Sequence, residues 1–271
     1  MKPRPFDYVR PDTLEEAVAL LADYGDEARV LAGGQSLIPM LNLRLIEPAV
    51  LIDISRVAGL DAIQDHGAHI EIGAAVTQNQ LMAWPQLKQK LPLLAAALPF
   101  VGHFQTRNKG TVCGSIAHAD PSAELPLTLA VLGGAVVLRS KRGERVLAAD
   151  TFLQDMLTTA REPDELVAAV RFPTIEGKGV AFNEVARRHG DFAMVAVAAV
   201  ADTRGAVTLG VGGLSGRPTV RAIDGDVAGP VRAWAEELEG YEDLHASAAL
   251  RRDLLCNLAP LVIAEAKRCA A

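Results

Sequence analysis

Two short glycine-bearing segments hold the residues whose types and spacing could do chemistry: A-G-G-Q-S from Ala32 to Ser36, and G-T-V-C-G-S-I-A-H-A-D-P-S-A-E-L-P from Gly110 to Pro126. Each reads as the join between a strand-like run and a helix-like run. Backbone N–H groups at such a bend point outward, where a phosphate can take them as donors without any lysine. In the first segment the apolar stretch Arg29 to Ala32 stops at Gly33 and Gly34, and Ser36 is placed to cap a short helical run through Leu37, Met40 and Leu41. Together the two segments predict one anion-binding cradle. Rival phosphate motifs are missing: no G-x-x-x-x-G-K-S/T occurs, and the cluster Gly210, Gly212, Gly213, Gly216 departs from G-x-G-x-x-G because Ser215 stands at the third glycine position. That cluster reads as a hairpin turn.

Other chemically capable residues are few. Asp120 and Glu124 lie four apart and would share one face if the segment beyond Pro121 is helical. The 3 cysteines, Cys113, Cys256 and Cys269, are too scattered for a four-thiolate iron-sulfur cluster or a structural zinc site. Their odd number fits a reducing cytoplasm better than a disulfide framework, and Cys113 reads as a small buried filler. His66 and His69 flank Gly67, which points to a solvated turn, and no Cys or acidic partner is seen to complete a metal set. The chain is expected to carry no metal and no catalytic acid–base group.

The elements that must position these loops follow from capping and periodicity. Thr13 and Glu16 form a capping box before Leu14, Ala17, Val18 and Leu21, predicting a helix from Leu14 to Tyr24. Strand-like runs at Arg29 to Ala32 and Val50 to Ile54, with the short helix between, predict a small parallel strand–helix–strand layer carrying the first glycine loop. Short strands at Ile70 to Ile72, Ala135 to Arg139, Val146 to Ala148 and Leu166 to Phe172, with helices near Gln78 to Trp84 and Ala123 to Leu132, predict a second α+β unit. Pro173 and Glu176 to Gly179 mark a linker. Strands at Val180 to Val185, Met194 to Ala201 and Val207 to Val211 follow, then helices near Val231 to Leu238 and Ala246 to Lys267, with a kink at Pro260.

Composition sets the outer limits. A chain of 271 residues, 50% of them apolar, can bury a sizeable core. Its formal charge of −6 argues against nucleic-acid or anionic-membrane binding. No apolar run is long enough to span a bilayer without Gly, Pro or charge interrupting it, and the start M-K-P-R-P-F-D-Y has no signal-peptide core. A cytoplasmic protein is expected.

The paired loops, the opening R-P-F-D-Y-V-R-P-D-T-L-E-E-A, the central Q-T-R-N-K-G-T and the later R-R-H-G-D-F-A-M-V resemble the flavin-binding subunit of the molybdenum hydroxylases over nearly the whole chain. This group includes xanthine dehydrogenase and the medium subunit of aerobic carbon monoxide dehydrogenase, whose two motifs run approximately A-G-G-x-S and T-I-G-G-N. The resemblance implies an α+β architecture. It comprises a two-subdomain FAD-binding fold of the PCMH type over residues 1–175 (about 1–56 and 57–175), then a domain of antiparallel strands and helices over 176–271.

It also implies that Ala32, Gly33, Gly34, Gln35, Ser36 and Leu37, with Gly110, Thr111, Gly114 and Ser115, hold the FAD pyrophosphate, the hydroxyls of Ser36, Thr111 and Ser115 adding donors. Glu124 would accept from the ribose or adenine end, and Asp120 would brace the loop or cap a helix beginning near Ser122; as a bland alternative, both are helix-start acids favoured by the dipole. Val167 falls where the family offers a backbone or apolar contact to the flavin, and Asn183 where many relatives carry lysine. Cys113 and Ser115 depart from the usual glycine and asparagine of the second motif. By resemblance, electrons come from [2Fe-2S] clusters of a small subunit, fed by a molybdopterin large subunit, in a heterotrimer or a dimer of heterotrimers. The alternatives are a free-standing FAD-dependent reductase or oxidase on a related fold, and a scaffold that has lost the cofactor.

Overall fold

In the computed structural model, which describes residues 2–224, 227–238 and 240–270, the N-terminal layer consists of β1 (Asp7–Val9), α1 (Leu14–Tyr24), β2 (Ala28–Leu31), α2 (Leu37–Asn42) and β3 (Val50–Asp53). The strands are parallel in the order β1-β3-β2, and β3 is buried along its whole length, as a central parallel strand must be. Helix α1 spans the predicted residues. Thr13 caps it by accepting from the Glu16 N–H at 3.2 Å, but the Glu16 carboxylate reaches the N–H of Asp12 (2.9 Å), one residue before the position a capping box requires.

The second unit runs through β4 (Ile63–Asp65), β5 (His69–Gly73), α3 (Gln78–Ala83), α4 (Leu87–Lys90), α5 (Pro92–Ala97), α6 (Phe104–Arg107), α7 (Val112–His118), α8 (Glu124–Val131), β6 (Ala135–Ser140), β7 (Gly143–Ala148), α9 (Ala149–Phe152), β8 (Leu153–Asp155), β9 (Thr158–Thr159) and β10 (Leu166–Pro173). Five strands form an antiparallel sheet in the order β4-β5-β10-β6-β7. The last of these five strands in chain order thus lies at its centre. Its inner face and the parallel layer share one continuous apolar core, in which Leu21, Val50 and Ile52 join Ile70, Val136, Val170 and Phe172.

Beyond Pro173 come β11 (Gly179–Val185), β12 (Val195–Ala201), β13 (Val207–Gly212), β14 (Thr219–Ile223), α10 (Ala228–Glu237) and α11 (Ala248–Cys269). The strands form an antiparallel meander. Every residue of β12 is buried because both faces are covered: Val195, Val197 and Ala199 meet α10 and α11, while Ala196, Ala198 and Val200 meet Leu93 of α5 and Leu127 and Val131 of α8. Helix α8 is therefore buried on nearly every side. Helix α11 carries Pro260 within its length.

The glycine cluster does two jobs. Gly213 has φ +85° and leaves the strand for the β13–β14 link. Gly210 and Gly212 are instead strand residues beneath α8, where a β-carbon at 210 would lie 2.1 Å from Val131 Cγ2; their absent side chains let a helix lie close to the sheet. No helix among the described residues is long and apolar enough to cross a membrane. The first residue of the 1–175 unit and the last of the 176–271 unit lie outside the described residues.

Candidate functional site

The first glycine loop leaves β2 at Ala32, which is half-buried. Gly34 takes φ +70°, a left-handed conformation that glycine adopts readily, and turns the chain from strand into α2. Ser36 (φ −98°, ψ −43°) has already entered the right-handed helical region, and its hydroxyl makes no capping bond. The expectation that Ser36 caps α2 is corrected: a capping side chain needs extended backbone, and the glycine has made the bend before it. The opening bond runs from the Ile38 N–H to the Gly34 carbonyl at 3.0 Å.

Among the described residues, the backbone N–H groups of Gly34, Gln35, Ser36 and Leu37 meet no acceptor. The Gln35 side-chain amide folds back onto the Gly33 carbonyl at 3.0 Å and leaves its own backbone N–H outward. Consecutive unpaired N–H groups about a left-handed glycine form an anion-binding concavity.

The second loop joins two helices, α6 and α7, where the sequence suggested a strand before Gly110. Only a single antiparallel bridge, Thr77 to Thr111, is made there. It is fixed by Gln78 N–H to the Gly110 carbonyl (2.9 Å) and Val112 N–H to the Val76 carbonyl (3.1 Å). One bridge suffices because the loop is tied to the start of α3. Thr111 is extended, and its Oγ1 accepts from the Gly114 N–H at 3.0 Å, capping α7. That leaves the Thr111 hydroxyl proton free to donate outward, while Gly114 supplies space and no N–H. Ser115 is half-buried one turn on. Cys113 is a buried filler: its thiol donates to the Ile72 carbonyl at 3.3 Å, and burial raises its pKa.

The two loops touch. A β-carbon on Gly33 would fall 2.1 Å from the Lys109 carbonyl oxygen and 2.7 Å from the Gly110 α-carbon, so the first loop lies against the start of the second.

The acids separate. Helix α7 stops at Ala119, which is left-handed (φ +53°), and α8 begins only at Glu124. Asp120 and Glu124 therefore do not share a helix face; Pro121 and Ser122 lie in the link, where the Asp120 carboxylate accepts from the Ser122 N–H at 2.9 Å and braces the turn. Glu124 is buried in the first turn of α8. Burial pushes its carboxyl up to about 7, Asp120 adding to the rise and the nearby Arg107 opposing it. Arg107 is itself held by the carbonyls of Val101 (2.8 Å) and Gly102 (2.9 Å).

Glu184 of β11 lies close enough to Glu124 to feel its charge. Burial first, and Glu124 second, push Glu184 up to about 8, and its Oε2 meets no hydrogen-bond partner. Sequence reading passed over Glu184, although it is the one acid of β11. Gln78 was also missed: it is buried, its Oε1 has no partner, and a β-carbon on Gly110 would lie 3.2 Å from that atom. The T-x-x-Q box from Thr77 to Gln80 is the signal that would have placed it at a helix start.

Val167 and Asn183 lie on strands β10 and β11, not on the loops. Val167 is buried in the shared core beside a bulge of β10, between Val167 and Ala169. Asn183 is exposed on β11, its side-chain oxygen accepting from the Glu184 N–H at 2.8 Å. Asn183 thus sits on the strand whose next residue faces Glu124.

Residues 4–175 match the family described as the FAD binding domain in molybdopterin dehydrogenase. The chain belongs to the FAD-binding medium subunits of the molybdenum hydroxylases. It is 37% identical to the 6-hydroxypseudooxynicotine dehydrogenase complex subunit alpha of Paenarthrobacter nicotinovorans, over 98% of this chain and 96% of that one. Carbon monoxide dehydrogenase from Hydrogenophaga pseudoflava superposes with a TM-score of 0.93 at 30% identity, covering 100% of both chains. Quinoline 2-oxidoreductase from Pseudomonas putida 86 gives 0.91 at 33% identity, covering 100% of this chain and 99% of that one. The α+β architecture implied by the resemblance is the observed one.

For a flavin subunit of this family, the local chemistry fits the dinucleotide's pyrophosphate. Four unpaired N–H groups are donors, the hydroxyls of Ser36, Thr111 and Ser115 can each donate one O–H, and the left-handed Gly34 lets backbone approach closely.

Proposed function

We propose that this chain binds FAD across the two loops and serves as the electron-exit subunit of a molybdenum-containing hydroxylase or dehydrogenase. The meeting of Gly33 with Lys109 and Gly110, beside a run of unpaired N–H groups, supports the reading. Each charge-assisted bond to a phosphate oxygen contributes on the order of 1.5–3 kcal/mol. In this reading Gly34 to Leu37 and the Thr111 and Ser115 hydroxyls hold the pyrophosphate. Glu124 accepts from the ribose or adenine end, Asp120 keeps the second loop in place, and Val167 and Asn183 border the cofactor. When bound, the isoalloxazine supplies electron exchange between a one-electron donor and an acceptor; the protein's part is to orient it and tune its electronics.

The partners we propose are an iron-sulfur subunit with [2Fe-2S] clusters and a molybdopterin large subunit, assembled as a heterotrimer or a dimer of heterotrimers in the cytoplasm. Substrate turnover then belongs to another polypeptide. Asn183 supplies no cation where many relatives carry lysine, so Asn183→Lys is expected to raise the flavin potential.

The test compares the isolated chain with the reconstituted complex. The isolated chain should retain FAD, seen in its visible spectrum, and after chemical reduction should be reoxidised by oxygen, a quinone or NAD. It should show no substrate-dependent dye reduction until the partners are added. Substrate oxidation by the chain alone would favour the free-standing flavoenzyme, and a colourless, flavin-free chain would favour the scaffold.

A further inference from the structure

The β4–β5 hairpin, on the five-stranded sheet, gathers two imidazoles and a carboxylate that the flavin site does not use. The turn read from sequence is there: Gly67 has φ +77°, and His66 N–H donates to the His69 carbonyl at 3.0 Å. The expectation that no acid joins the two histidines is overturned, because Glu71 is two residues beyond His69 on the same strand and projects to the same face. One ligand-capable atom from each of His66, His69 and Glu71 lies within 4.8 Å of the others. The two imidazole rings are nearly parallel, with centroids 4.9 Å apart and an interplanar angle of 19°.

We propose that His66, His69 and Glu71 form a three-ligand site for a divalent transition-metal ion of the zinc, copper or nickel class, separate from the flavin loops. Two imidazoles and one carboxylate suit these ions and leave a coordination position for water. The hairpin tip is held in advance by Thr174, whose N–H donates to the Ala68 carbonyl (3.0 Å) and whose hydroxyl donates to the Gly67 carbonyl (2.8 Å). Glu71 is oriented from behind: the Arg171 Nε–H donates to Glu71 Oε2 at 2.6 Å and leaves Oε1 for the ion, the arrangement by which outer partners fix a ligating carboxylate. The zinc-class ligand separation of about 3.3 Å is reached by rotating the exposed His66 side chain onto the fixed pair. A bound ion would clip the hairpin tip beside Thr174, where the chain leaves β10 for the C-terminal strands.

The experiment uses the tag-free, chelator-treated full chain, titrated with ZnCl2 by calorimetry, beside His66→Ala, His69→Ala and Glu71→Gln, with circular dichroism and flavin content as checks on folding. One equivalent of zinc is expected to be lost in either histidine variant and held at least roughly tenfold more weakly by Glu71→Gln, with flavin content unchanged. Unaltered zinc stoichiometry and affinity in both histidine variants would overturn the proposal. A measurement on the unmutated chain stands beside this: one equivalent of Cu2+ should give an electron paramagnetic resonance spectrum with hyperfine structure from imidazole nitrogen. A spectrum of hydrated copper alone would equally overturn it.

Discussion

Gly33 lies against Gly110 with no room for a side chain between them: a β-carbon on Gly33 would stand 2.7 Å from the Gly110 α-carbon and closer still to the Lys109 carbonyl oxygen. Both obstacles are backbone, so neither can rotate aside. Gly33→Ala is therefore expected to push the two loops apart, and Gly33→Val more so, while the core beneath stays folded. Losing two charge-assisted contacts would weaken FAD binding by roughly 3–6 kcal/mol. Gly114→Val acts differently, since its β-carbon would lie 2.6 Å from Thr111 Oγ1 and displace the α7 cap, adding about 1 kcal/mol of destabilisation. Flavin content after gel filtration, with circular dichroism for the fold, checks both; stoichiometric FAD in either variant would remove that loop from the pyrophosphate site.

The buried Glu124 and the half-buried Glu184 predict a pH dependence of stability. Both carboxyls titrate above their ordinary value of 4.5, near 7 and 8, chiefly through burial. The folded chain consequently binds more protons than the unfolded chain between that ordinary value and the raised ones, so their contribution to stability falls as pH rises through this window. Glu184→Gln, which stays neutral, is expected to raise Tm above that of the unmodified chain at pH 8.5 and to change it little at pH 5. The scale is about 2–4 °C for each kcal/mol in a chain of this size. Equal changes in Tm at the two pH values, measured by scanning calorimetry, would refute the assignment.

Docking of the C-terminal sheet depends on Gly210, whose β-carbon would meet Val131 Cγ2 at 2.1 Å and Leu127 Cδ1 at 3.0 Å. Gly210→Val should destabilise the chain by about 1–3 kcal/mol through overpacking. Val131→Ala in the same chain makes room, and thermal unfolding should show the double variant more stable than Gly210→Val alone; additive losses would mean that the helix does not seat on that glycine.

Local chemistry was legible where a motif acts on its own neighbours. The α1 helix was readable to its ends because Thr13 caps it and Gly25 closes it with φ +50°. The run from Val180 to Val185, bounded by glycine-containing turns, marked β11 almost to the residue. Other features were not readable, because their partners are distant. The strand at Asp7–Val9 is only three residues long and exists by pairing with Val50 to Ile52. The strand expected before Gly110 is replaced by one bridge to Thr77, a residue far away along the chain.

By itself the sequence determined the two glycine loops, the family they belong to and the succession of three α/β or α+β units, since these rest on backbone freedom, capping and hydrophobic period within short stretches. Only the tertiary structure decided that Gly33 meets Gly110, that Glu184 stands beside Glu124, and that Glu71 joins His66 and His69. The first two depend on packing between segments far apart in sequence. The third depends on the fold of a tight turn and on Arg171 holding the carboxylate from the next strand, which no spacing within a single strand can specify.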